Sequence, residues 1–135
     1  MKKIITTGLI TGVALFFICY GGLFVAIRLF PHFFEVYISP MFNSDGSRDW
    51  MFYSHVFVIG LALSWFWDRF KYKIKGHFII RGIQFGGVYT LISLFPIFWL
   101  TFSTLDITFK MVASWFLYGL LQTITAGVIL AKTNP

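Results

Sequence analysis

The chain has 135 residues, of which 58% are hydrophobic, 21% aromatic and only 12% charged, with a formal net charge of +6. Soluble domains carry about 25% charged residues. This chain therefore cannot clothe a core in a water-wettable surface, and it is expected to be a single-domain integral membrane protein. Each bilayer crossing takes about 20 apolar residues, so the length accommodates four.

The first span is predicted over about residues 4–29, "IITTGLITGVALFFICYGGLFVAIRL". Its basic start resembles a secretory leader. Apolarity nevertheless continues to Leu29 and no small-x-small cleavage site follows a short core, so the span is expected to be retained. Cys19 is the only cysteine; an internal disulfide is excluded, and the residue reads as a small packing side chain.

The loop over residues 31–49 follows, expected on the outer side. Phe33, Phe34, Val36, Tyr37, Ile38, Met41 and Phe42, bounded by Pro31 and Pro40, are too apolar for a free loop. They should lie at the membrane interface or fold back on the helices. "NSDGSRD" reads as a polar turn, with Gly46 supplying permissive backbone angles.

The second span covers about 50–70 and runs into a basic hinge over 69–77. The third covers about 78–102, with Pro96 expected to bend it by removing a backbone hydrogen bond. After the short "STLD" connection, the fourth covers about 107–131. The bilayer core offers the backbone no water, so a span must be helical or part of a closed barrel. None of these runs alternates polar and apolar residues as a barrel strand would. The expected fold is all-α: a polytopic four-helix transmembrane bundle with sequential antiparallel hairpins.

Basic residues concentrate on the cytoplasmic side of membrane proteins. Lys2, Lys3, Arg69, Lys71, Lys73, Lys75, Arg81 and Lys132 fall on one side of the predicted topology, against Arg28, Arg48 and Lys110 on the other. Both termini are therefore expected in the cytoplasm, with the chain in the inner membrane. The basic hinge should attract anionic headgroups. This pattern accounts for the positive charge without nucleic acid.

Close helix approach in lipid relies on small residues. Gly8, Gly12, Cys19, Gly22 and Ala26 line one face of the first span, and Gly60 and Ser64 mark the second. Gly82, Gly86, Thr90 and Ser93 mark the third, and Gly119, Thr123 and Gly127 the fourth. These stripes are expected to pack the bundle internally, with Gly60 and Ser64 turned to span three; a homo-oligomer or a membrane-protein partner is the other use of such a face.

Among polar residues within the spans, Asp68 sits near the end of span two behind Trp65 and Trp67, and Arg81 a few residues into span three. The two are expected to form a structural ion pair across the hinge. His55 lies deeper, about 6 Å along the helix from the span midpoint near Ile59. At comparable depth the other spans offer Tyr20, Ser93 and Tyr118, with Gln122 nearer the centre. These five residues form a candidate polar binding layer. Intramembrane ionisable residues are functional candidates, and an unsatisfied polar group in hydrocarbon costs a few kcal/mol. His55 should therefore reach Tyr20, Ser93 or Tyr118.

His32, Glu35, Asp45, Asp49 and His55 do not make a recognisable metal-ligand spacing. Catalytic and phosphate-binding motifs are absent from the sequence. No catalytic residue, metal or cofactor is expected.

Size and span count resemble small multidrug transporters, which carry a glutamate in the first span that is missing here. The runs "DWMFYSHVFVIGLALSWFWDRF", "RGIQFGGVYTLI" and "WFLYGLLQTITAGVILA" resemble uncharacterised small four-span bacterial membrane proteins with a histidine in span two and a glycine-rich third span. The resemblance covers about the last two thirds of the chain. It implies the four-span fold and carries no function. The expected role is a non-enzymatic accessory or binding subunit in the lipid bilayer. The alternative is a small-molecule carrier or membrane enzyme that uses the layer around His55.

Overall fold

The computed structural model describes residues 1–42 and 45–135. Among these the chain is helical and has no strand. Four long helices dominate: α1 (Lys2–Leu29), α2 (Asp49–Lys73), α3 (Phe78–Thr104) and α4 (Phe109–Thr133). Each is long and apolar enough to cross a membrane. At 25 to 28 residues they reach about 38 to 42 Å, more than the hydrocarbon thickness of about 30 Å.

The core is narrow. Leu15, Val56, Leu63, Trp67, Phe85 and Leu130 are buried, whereas Val58, Ile92, Trp99 and Leu117 are exposed along the flanks. An exposed apolar surface this extensive marks a face for contact with a membrane or another protein.

The helices associate as two close pairs. In the first, a Cβ built on Gly8 would stand 2.9 Å from the Leu61 Cα, and one on Gly60 would stand 2.8 Å from the Gly12 amide nitrogen. The contacts run in opposite senses along α1 and α2, with Gly8 beside Leu61 and Gly12 beside Phe57. In the second pair, a Cβ on Gly86 would stand 2.6 Å from the Ile124 Cα, and Gly82 abuts Val128 and Gly127. Gly119 meets only the flexible Leu94 side chain, and nothing lies within 4 Å of the Gly22 Cβ direction. Gly22 is thus no packing residue.

Gly60 and Ser64 do not face span three as expected. Gly60 lies on Gly8 and Gly12, and Ser64 bonds Thr7 at 2.7 Å. The reason lies in the aromatics between α2 and α3. Phe66 and Trp67 meet Phe85 at ring-centroid distances of 5.5 and 5.1 Å, and rings of this bulk hold the two backbones apart. The small face of α2 is left for α1.

Two helices contain a wide π turn, Phe16–Tyr20 in α1 and Thr90–Leu94 in α3. The second precedes Pro96, which occupies the first turn of the helical stretch Phe95–Thr104. A proline ring clashes with the carbonyl four residues before it. Here that residue is Ile92, inside the widened turn, which absorbs the conflict. Beyond α1, a helical turn at Pro31–Phe34 and a 3₁₀ turn at Glu35–Ile38 fold back so that Tyr37 Oη bonds Ser114 Oγ at 2.9 Å. The predicted polar turn has Gly46 at φ +76°; its Asn43 and Ser44 lie outside the described residues.

Candidate functional site

His55, half-buried on α2, gathers three helices. Its Nδ1 lies 2.6 Å from the carbonyl of Phe52 and 3.0 Å from the Tyr20 hydroxyl; its Nε2 lies 3.1 Å from the Gln122 amide nitrogen. A carbonyl can only accept, so Nδ1 carries the proton and Nε2 keeps a lone pair for the Gln122 N–H. Tyr20 Oη also donates to the Phe52 carbonyl. Tyr20 closes the π turn of α1, whose neighbouring residue Cys19 is 1% exposed. One imidazole thus links α1, α2 and α4.

The other proposed members of the layer are placed differently. Tyr118 lies one turn before Gln122 on α4, its hydroxyl buried without a hydrogen-bond partner. Ser93 is not a partner of His55. It sits in the π turn of α3, and α3 packs on α4 through contacts of its own, including Thr90 Oγ1 to Thr123 Oγ1 at 2.8 Å.

The expected ion pair between Asp68 and Arg81 is replaced by a larger cluster. Asp68 Oδ1 lies 3.3 Å from Lys71 Nζ and accepts from Asn134 Nδ2 at 3.3 Å. Lys71 Nζ donates to Asn134 Oδ1 at 2.7 Å, and Trp67 Nε1 donates to the Asn134 carbonyl at 2.7 Å. Arg81 Nη2 instead donates to the Lys71 carbonyl at 3.1 Å, with its guanidinium 5.1 Å from the Trp67 ring centroid. Lys71, three residues beyond Asp68, reaches the carboxylate on the same helix face, and Asn134 fills the remaining position. The i,i+3 spacing of Asp68 and Lys71 was a usable signal for that pair. The fully buried Asn134 had no comparable signal, because its partners lie about 65 positions away.

An apolar cavity of about 800 Å³ opens between α1, the folded-back loop and α4, lined by Ala26, Ile27, Phe34, Trp115 and Leu121 among others. Phe52 and Tyr118 also line it, so it adjoins the His55 contacts. Sequence reasoning missed this space, since it exists only once the loop has folded back. His32 and Glu35 bond each other at 2.8 Å on the exposed side of the loop. Among the described residues no three His, Cys, Asp or Glu side chains gather to hold a metal ion.

Fold and site together define an all-helical protein with four helices of membrane-spanning length, tied internally by hydrogen bonds between polar side chains. Comparison with protein-family models, curated proteins and solved structures finds no match to this chain.

Proposed function

We propose that the chain is a multi-pass protein of the cytoplasmic membrane that acts as a non-enzymatic binding or accessory subunit. The four helices cross as sequential antiparallel spans. Both termini and the basic hinge are cytoplasmic, and the loop over residues 31–49 is outside. Membrane insertion is supported by the exposed apolar flanks, and orientation by the eight-to-three division of basic residues. Lys73 and Lys75 of the hinge lie against anionic headgroups, while Lys71 is committed to Asp68 and Asn134.

One observation carries the functional reading: most interior polar groups are occupied with one another. Thr7 bonds Ser64, Thr90 bonds Thr123, and His55 is held by Tyr20, Phe52 and Gln122. Such contacts fasten helices together and occupy the polar groups they use. The open feature is apolar and suits binding. A second reading, a small-molecule carrier or membrane enzyme, is favoured by the unpartnered Tyr118 hydroxyl beside this layer.

Cys19 separates the two, because it is native, buried and next to Tyr20. In membranes it should stay unreactive toward a hydrophilic maleimide until the protein is denatured. A carrier must admit water to the layer as it cycles, so fast labelling of folded protein would transfer the assignment to the carrier.

A further inference from the structure

We propose that the cavity of about 800 Å³ holds the acyl chains of an anionic phospholipid, its phosphate placed against Lys110. This rests on the reading of the chain as a membrane binding protein. The volume falls within the range of about 300–1,000 Å³ typical of specific ligand sites. Its walls include Leu23, Ile27, Phe34, Trp115 and Leu121, a lining that favours hydrocarbon over water. Next to it is a second cavity of about 260 Å³ that shares Phe33, Tyr37 and Ser114 with the first and adds His32, Thr108 and Lys110. The Tyr37–Ser114 hydrogen bond at 2.9 Å forms the sill between them.

Charge distinguishes the two compartments. Glu35, the carboxylate in the wall of the large cavity, is held by His32 at 2.8 Å. Lys110 has no carboxylate partner among the described residues. An apolar chamber whose annex presents an uncommitted ammonium group matches an amphiphile with an apolar tail and a negative head. Lys110 stands at the start of α4, immediately after Phe109, the depth at which a lysine can lift its charge into the headgroup layer.

The test uses the full chain in nanodiscs of phosphatidylcholine doped with lipid carrying brominated chains, which quench nearby tryptophans. Trp115 lies in the cavity wall and Trp99 on the exposed flank; the part of the quenching that disappears in W115F, and the part that disappears in W99F, give each one's contribution over the shared background of Trp50, Trp65 and Trp67. Half-quenching of Trp115 should need about fivefold less brominated phosphatidylglycerol than brominated phosphatidylcholine, the effect of one cation near an anionic headgroup. Trp99 should show no such preference. K110Q should abolish the preference while both lipids still quench, and K110R should retain it. Equal quenching of Trp115 by both lipids in the unaltered protein would overturn the proposal, as would a preference that survives in K110Q. Neither result bears on the protection of Cys19, so the binding-subunit reading is judged separately.

Discussion

His55 shows how one side chain can be both polar and structural. With Nδ1–H on the Phe52 carbonyl and Nε2 accepting from Gln122, it joins groups on two helices and gives the buried Gln122 amide an acceptor. H55A deprives the Gln122 amide of its acceptor, and Gln122 is 4% exposed. The expected loss is about 1–3 kcal/mol, read as a lowered thermal unfolding midpoint in detergent. H55Q should recover part of it, since an amide supplies both a donor and an acceptor. An unchanged midpoint in H55A would show that these contacts do not fasten the bundle. Tyr20 was legible as a partner of His55 because shared depth follows from helical rise, whereas Gln122 was expected in the layer but nearer the centre, and its bond to His55 was not foreseen. Ser93 was misplaced because depth says nothing about which helix stands between two residues. Asp68 and Arg81 failed similarly: their proximity to the hinge was legible, whereas the buried positions of Lys71 and Asn134 depend on contacts between distant segments.

The helices pair where glycine lets backbone meet backbone, and the consequences of adding a methyl group are graded. At Gly60 the new atom would meet the Gly12 backbone, and at Gly86 the Ile124 backbone; neither can rotate away. G60A and G86A should each lose about 1–3 kcal/mol or more. At Gly119 the obstacle is the end of Leu94, which can change rotamer, and at Gly22 there is none. G119A should cost little, and G22A should be neutral or slightly favourable, since alanine is the better helix former by about 1 kcal/mol. Unfolding midpoints for the four variants give the order. G60A as mild as G22A would contradict the close approach of α1 and α2. The small-residue stripes were readable because membrane helices pack through small side chains. The neighbour each stripe faces was not, because Phe66, Trp67 and Phe85 decide it through bulk rather than spacing.

The orientation proposed for the chain rests on the division of basic residues and can be checked directly. In a C19S background, S47C should label with an impermeant reagent in intact cells, and K73C should label only after the membrane is opened. The reverse pattern would invert the topology. The four apolar segments were evident from composition, and the loop from Pro31 to Phe42 was recognised as too apolar to float free. Its actual anchor, Tyr37 on Ser114, spans 77 positions and leaves no local trace.

The bundle is built from two tight pairs, α1 with α2 and α3 with α4, that meet along a looser seam of rings and a few polar clasps. A molecule with this grain has a natural place to be divided. Cutting the chain between Lys75 and Gly76 would leave each glycine-packed pair intact and remove only the tether between them. The two fragments, co-expressed, should find each other in the membrane and copurify through the clasps of His55 on Gln122 and Trp67 on Asn134. A cut between Leu105 and Asp106 would instead sever α4 from its glycine-packed partner, and its fragments should reassemble less completely. The covalent link at Lys75–Gly76, on this view, is a convenience of synthesis: it delivers two prefabricated halves to the same place, while Lys71, earlier in the hinge, still holds Asn134 across the seam.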